Sequence, residues 1–408
     1  MSVVIKVPAI RFNGFSGDWE DKVLGYDVAD ICGGGTPSTQ ISEYWNGDIH
    51  WYSPTEIGKT VYVDNSEKKI TKEGLEKSSA KILPADKTVL FTSRAGIGDM
   101  AILSKDGCTN QGFQSFVLKD GYDTYFLYSI GHQIKEYALK HASGSTFLEI
   151  SGKQLGKMAI KMPCTKEQTK IGNYFHQLDT LIAQHQQKHV KLLNLKKALL
   201  EKMFPKKGAT VPKIRFNEFS VEWEEKQLGD LADIVRGASP RPIEDPKWFD
   251  KNSNVGWLRI RDVTEQDGRI YHLEQRISKL GEEKTRVLTE SHLLLSIAAS
   301  VGKPVINYVN TGVHDGFLIF KKPSFDLEYM FQWLKSFEAK WQQYGQPGSQ
   351  VNLNSDIVKG QEVFIPKPEE QIKIGNLFKQ LDTLLIQHQA QLKKLNSIKQ
   401  ACLEKMFV

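Results

Sequence analysis

Cysteine is scarce in this chain. Its 408 residues hold four, Cys32, Cys108, Cys164 and Cys402, and none forms a C-x-x-C pair. That spacing argues against a zinc ribbon or a redox dithiol, and leaves isolated thiols of the kind a reducing cytosol keeps reduced. No apolar run approaches the roughly 18 residues that a membrane-spanning helix needs. Nothing at the amino-terminal end reads as a secretory signal. The expectation is a soluble, cytoplasmic protein with no membrane partner. Arginine is almost missing from the first half, which holds only Arg11 and Arg94. The second half holds eight, among them Arg236, Arg241, Arg259, Arg261, Arg269 and Arg286.

Catalytic signatures are also missing. There is no G-x-x-x-x-G-K-[ST] phosphate loop, and Gly152-Lys153 has the wrong spacing behind Gly144 to serve as one. Neither H-E-x-x-H nor G-x-S-x-G occurs. The Asn/Asp-Pro-Pro-aromatic tetrapeptide of amino-methyltransferases is absent. "ICGGGTP" (residues 31–37) lacks the G-x-G-x-x-G spacing of a dinucleotide turn and reads as a tight recognition loop. Glu282, Glu283 and Lys284 can be set beside Asp262 as a nuclease pattern, but a solvated charge cluster is the plainer reading. We therefore expect no catalytic residue, no metal site and no cofactor held by this chain.

What is present is a duplication. "PAIRFNGFSGDWEDKVLG" starts at Pro8 and "PKIRFNEFSVEWEEKQLG" at Pro212, an offset of 212 − 8 = 204 residues. "EQTKIGNYFHQLDTLIAQHQ" from Glu167 returns as "EQIKIGNLFKQLDTLLIQHQ" from Glu370, and both stretches run on to "LEKMF". Glu167–Phe204 and Glu370–Phe407 share 24 identities over 38 positions. Between these ends only punctuation survives. Gly35-Thr36-Pro37 faces Ala238-Ser239-Pro240, and the segment 93–98 faces 297–302. Asn110-Gln111-Gly112-Phe113 faces His314-Asp315-Gly316-Phe317, and Gly144-Ser145 faces Gly348-Ser349.

The near-invariant segments read as long helices. Apolar or seam residues fall at Ile171, Phe175, Leu178, Ile182, His185, His189 and Leu192, a 3.5-residue period, and then slip at Leu195, Leu199 and Met203. The second copy reads Ile374, Phe378, Leu381, Leu385, His388, Leu392 and Leu395, then Ile398, Cys402 and Met406. A helix of about 36 residues is about 54 Å long, and one alone leaves its seam uncovered. The two are expected to pair as an antiparallel coiled coil. His185 and His388 take equivalent seam positions, where register-setting polar contacts are a plainer role than metal or pH sensing.

The variable segments read as mixed α/β (α+β). "KTVLFTSRAGIGDMAIL" (87–103) reads as strand, glycine turn, strand, and "FQSFVLK" (113–119) as a strand. Residues 122–142 and 326–344 read as amphipathic helices. The expected organisation is a recognition module over 1–165, a spacer helix over 166–204 and a linker over 205–211. A second module over 212–368 and a second spacer helix over 369–408 complete it. Two differing modules on one paired spacer suit a bipartite linear target such as duplex DNA. The net charge of +6 permits a polyanion without requiring one.

The tandem "IRF…F…WE…LG" openings, the "EQ.KIGN.F.QLDTL" helix starts after "MPCTK" and "IPKPE", and the repeated "LEKMF" together resemble the specificity subunit of Type I restriction–modification enzymes. The resemblance covers essentially the whole chain. It implies two target-recognition domains, each reading one half of a split asymmetric site on double-stranded DNA. It implies that the helices act as a ruler for the unread gap and dock two methyltransferase subunits, which restriction subunits then join in phage defence. It places S-adenosylmethionine, ATP and magnesium on those partner subunits. A coiled-coil adaptor that binds only protein is the alternative, and an unrecognised nuclease a further one.

Arginine can read guanine bidentately, and asparagine or glutamine adenine. On that basis Arg94, Asn110 and Gln111 are the candidate readers of the first module, with Thr36 and Ser145 on the DNA backbone. Arg236, Arg241, Arg259, Arg261, His314 and Gln350 are the candidates of the second. Each has the plainer reading of a surface ion pair or turn-former. Trp19, Trp223, Phe12, Phe15, Phe216 and Phe219 recur while the reading surfaces differ, so packing is expected of them rather than base stacking.

Overall fold

A computed structural model describes residues 7–94, 96–144, 148–206, 208–298, 300–344 and 353–408. The chain divides into two compact units that do not follow its linear order. One is Met1–Gln187 with Ala390–Val408, and the other is Lys188–Gln389. Each unit therefore owns one module and a part of both long helices.

In the first unit the strands are β1 (Glu20–Val23), β2 (Ala29–Gly33), β3 (Trp45–Tyr52), β4 (Tyr62–Val63), β5 (Lys68–Ile70), β6 (Thr88–Phe91), β7 (Met100–Leu103), β8 (Gly107–Thr109), β9 (Gln114–Leu118) and β10 (Ala159–Met162). They form a five-stranded sheet in the order β2-β9-β6-β7-β4, a three-stranded sheet β5-β3-β8 and the pair β1-β10. "TVLF" of β6 is buried at every position, because both faces of the sheet are covered. Side chains alternate along the strand. Val89 and Phe91 join a core with Phe116, Phe126 and the long helix, while Leu90 points the other way, to Tyr52, Leu103 and Phe113.

The second unit repeats this plan with β11 (Glu224–Gln227), β12 (Asp233–Arg236), β13 (Gly256–Trp257), β14 (Arg269–Ile270), β15 (Arg286–Leu288), β16 (Leu293–Ser296), β17 (Pro304–Asn307), β18 (Thr311–Val313), β19 (Phe317–Lys321) and β20 (Glu362–Ile365). Its sheets are β12-β19-β16-β17-β14, β13-β18-β15 and β11-β20. Leu293 and Leu295 face one core and Leu294 the other.

The two segments read as single helices differ from that expectation. Residues 122–142 hold two helices, Thr124–Ser129 and Gly131–His141. The break falls where the Ser129 hydroxyl donates back to the Tyr125 carbonyl at 2.7 Å, a bond that competes with the backbone ladder. The second segment is the helix Leu327–Phe337, tightened to 3₁₀ over Glu338–Tyr344.

The long helices are Thr165–Lys202 and Pro368–Lys405. In the first unit Phe407 stacks on Phe175 at 5.6 Å. Four residues on from Phe175, Asp179 takes Lys399 at 2.5 Å, eight residues back from Phe407. The two helices therefore run in opposite directions there. The second unit repeats both contacts at equivalent positions: Phe204 stacks on Phe378 at 6.1 Å, and Lys196 pairs with Asp382.

Ile171, Phe175, Leu178, Ile182, Ile374, Phe378, Leu381 and Leu385 are all buried. Most of them lie in the module cores, so the modules as well as the other helix cover the seam. Leu192 and Leu395 are half-buried against those same cores, and His185 and His388 are half-buried too. Leu195, by contrast, is exposed. The seam passes instead through its neighbour Lys196, whose charge Asp382 neutralises.

The doubled opening motif ties the two helices together within each unit. Arg11 grips Glu167, at the start of the first long helix, through bonds of 2.6 and 2.7 Å, and the Ile10 N–H donates to the Lys405 carbonyl, at the end of the second, at 2.8 Å. Arg215 grips Glu370 likewise at 2.8 and 2.7 Å, and Ile214 donates to Lys202 at 2.9 Å. Those helix-end carbonyls would otherwise lack partners. Trp19 and Trp223 are 2% and 3% exposed. They pack on Phe126 and Phe407, and on Tyr329, as aromatic anchors.

Candidate nucleic-acid interface

Three loops of the first unit converge at one end of the five-stranded sheet. The loop after β2 lies on the turn after β8, with the Gly35 N–H donating to the Thr109 carbonyl at 2.8 Å. The approach is close enough that a Cβ on Gly34 would run into the Asn110 carbonyl oxygen, so that position needs glycine. The β6–β7 turn joins them, with Ser93 N–H donating to Gly112 at 2.8 Å.

This convergence collects four of the five residues named for the first module. The Thr36 hydroxyl donates to the Gln111 side-chain oxygen. Asn110 turns inward, its Oδ1 accepting from the Gly112 N–H at 2.8 Å, so its amide oxygen is used within the turn. Gln111 is exposed. Arg94 is half-buried and its backbone bridges Glu149. A Cβ on Gly112 would stand 3.6 Å from its Nε. Ser145 lies outside the described residues.

The second unit builds the same clasp from other side chains. Ala238 N–H donates to the Val313 carbonyl at 3.0 Å, and a Cβ on Gly237 would run into the His314 carbonyl oxygen. The Ser239 hydroxyl donates to Asp315 Oδ1 at 2.7 Å. Asp315 Oδ2 takes Arg241 Nη2 at 2.7 Å, and its main-chain carbonyl takes Arg236 Nε at 2.6 Å. Burial would raise the Asp315 carboxyl, but the Ser239 hydroxyl and the two arginines outweigh it and hold it below the usual range.

His314 serves the turn itself. Its Nδ1 accepts from the Gly316 N–H at 2.9 Å, and its ring packs on Trp257 and Phe317. Burial pushes its basicity down, against the pull of Asp315, so it is uncharged at neutral pH.

Arg259 and Arg261 take ion partners other than Asp315. Arg259 caps the short helix Ile260–Glu265, bonded to Asp262 at 3.0 and 2.7 Å and to Glu274 at 3.4 Å. It stands where the first unit has Ser53, whose N–H donates to Glu56 at 2.7 Å just as the Arg259 N–H donates to Asp262 at 2.9 Å. Arg261 is exposed beside Glu265 at 2.5 Å. Asp262 is thereby held as a helix cap, and among the described residues no group of three or more His, Cys, Asp and Glu is placed to hold a metal. Gln350 lies outside the described residues.

Sequence reasoning passed over Ser239 and Asp315. Their signal was in the internal alignment, which sets them opposite Thr36 and Gln111.

No helix among the described residues is long and apolar enough to cross a membrane. A family model described as the Type I restriction modification DNA specificity domain matches twice, over residues 16–194 and 220–399. The chain is 27% identical, over 95% of its length and 92% of the relative's, to the Type I restriction enzyme MjaIX specificity subunit of Methanocaldococcus jannaschii. It is 33% identical, over 40% of its length and 42% of the relative's, to the EcoR124I/EcoR124II specificity subunit of Escherichia coli. Among solved structures it resembles a Type-I restriction-modification S subunit from M. genitalium with a TM-score of 0.64, at 16% identity, covering 98% of this chain and 99% of that one.

Proposed function

The chain belongs to the Type I restriction-modification DNA specificity family, and from that premise we propose that it reads a split, asymmetric site on duplex DNA, one half with each unit. In this reading the long helices set the unread gap and carry the docking surface for two methyltransferase subunits. Restriction subunits join that complex. The chain directs methylation and cleavage without performing either, and S-adenosylmethionine, ATP and magnesium act on the partners.

The observation that carries this reading is the repeated clasp. A hydroxyl from the post-β2 or post-β12 loop holds position 111 or 315 in both units, on the same framework of close-approach glycines. The surrounding side chains differ, with Arg94 and Gln111 in one unit and Arg236, Arg241 and Asp315 in the other. A shared frame that presents unlike hydrogen-bonding groups is what two different half-sites require.

The full chain with its methyltransferase subunits should bind duplex DNA with steep salt dependence. If it makes six to ten phosphate contacts, affinity falls by about 10³–10⁵ between about 50 and 200 mM salt. Titration of a labelled duplex across that range checks this. Absent or salt-independent affinity would favour the protein-only adaptor.

A further inference from the structure

We infer that the clasped position, Gln111 in one unit and Asp315 in the other, determines which base edge each unit accepts, and that Thr36 and Ser239 are the positioning residues that fix its hydrogen-bonding sense. The inference deepens the DNA-reading function proposed above and rests on it.

The argument starts from hydrogen-bond capacity. A free glutamine side chain offers both an oxygen acceptor and an NH₂ donor, which is why it can pair with adenine bidentately. Here the Thr36 hydroxyl donates to Gln111 Oε1. That bond occupies one lone pair of the oxygen and leaves the NH₂ of the exposed side chain to donate. Gln111 so held acts first as a donor, because its NH₂ is fully free and its oxygen is already partly used. It suits an acceptor edge, purine N7, guanine O6 or thymine O4, rather than the two-bond adenine contact that its residue type alone suggests.

In the second unit the clasp has the same geometry and another output. Ser239 donates to Asp315 Oδ1 at 2.7 Å, and accepts the Asp315 N–H at 3.2 Å. The second carboxylate oxygen holds Arg241 at 2.7 Å, and that arginine side chain is 70% exposed. The carboxylate is thus occupied on both oxygens, and what faces outward is a guanidinium fork with free donor capacity. Such a fork matches guanine O6 and N7. Four residues that the chain places 75 or 76 apart thus make two versions of one device.

The test is selection of bound sequences from a randomised duplex pool by the full chain in complex with its methyltransferase subunits. Thermal unfolding of each variant is read alongside. Gln111→Glu turns the exposed donor into an acceptor. It should change the preferred base pair at one position of one half-site, toward cytosine or adenine amino groups, and leave the other half-site as in the wild type. Thr36→Val should lower discrimination at that same position by about ten-fold, and Thr36→Ser should restore it. Asp315→Asn and Ser239→Ala should each lower discrimination by about ten-fold at one position of the other half-site. A merely structural role would shift unfolding without moving a single base preference. Folded variants that keep every wild-type preference, or that blur both half-sites together, would overturn the inference. A wild-type complex that selects no split sequence would instead overturn the DNA-reading function, and this inference with it.

Discussion

Arg11 and Arg215 carry the same task in the two units, and neither is among the candidate readers of its module. Their partners Glu167 and Glu370 are 0% and 1% exposed. A carboxylate buried that far needs its arginine, because removing one member of a buried pair leaves an uncompensated group. Glu370→Gln should cost about 2 kcal/mol in urea unfolding, below the roughly 3–5 kcal/mol of fully buried pairs, since Arg215 keeps some water contact. The effect should fall on stability and leave base preference unchanged. The neighbouring Gln168 and Gln371 explain the other half of the "EQ" motif. Each bonds a proline carbonyl at 2.8 Å and the N–H of Asp123 or Asp326. At this scale the sequence revealed that the motifs matter and not what they hold. Arg11 and Glu167 stand 156 residues apart, and no periodicity reports a contact at that separation.

Elements were more legible than their joints. The strand β6 and the long helices stand out in the sequence, because burial on both faces leaves a short, nearly continuous apolar run and burial of one helical stripe leaves a periodic one. Charged seam positions leave none. Lys196 was invisible behind Leu195, and so was the network around Asp382. Its carboxylate holds Lys196, Arg269 at 3.0 Å and Gln332 at 2.9 Å, and Arg269 also reaches Glu328 at 2.6 Å. At the equivalent place the first unit sets Tyr62 and Tyr125 against His176, and Tyr125 donates to Asp179 at 2.8 Å.

Burial would raise the Asp382 carboxyl, but Lys196 and Arg269 outweigh it and hold it below the usual carboxylate range. A depressed carboxylate contributes stability that is complete above its unfolded value and is lost as pH falls through the folded one. The second unit should therefore weaken on acidification below the ordinary carboxylate range. Asp382→Asn should flatten that acid limb while lowering stability at neutral pH. Unfolding followed by circular dichroism across pH checks both signs.

For the molecule as a whole, the repeat was the most legible feature, because 24 identities over 38 positions need no physics to detect. Less legible was the partition. Each unit takes its module together with parts of both long helices, so the units interleave along the chain. Only the structure discloses that, since it depends on Phe407 meeting Phe175 and Phe204 meeting Phe378.

If the helices set the gap, adding four residues to each lengthens them by about 6 Å. The unread spacer should grow by on the order of two base pairs, with both half-sites unchanged. Altered half-sites would refute the ruler. The central claim is that one chain reads two half-sites, and methylation mapping of genomes from cells with and without this gene tests it most directly. The account predicts a gene-dependent set of methylated sites with two short defined halves at a fixed unread gap; a single contiguous motif, or no difference between the two genomes, would contradict it.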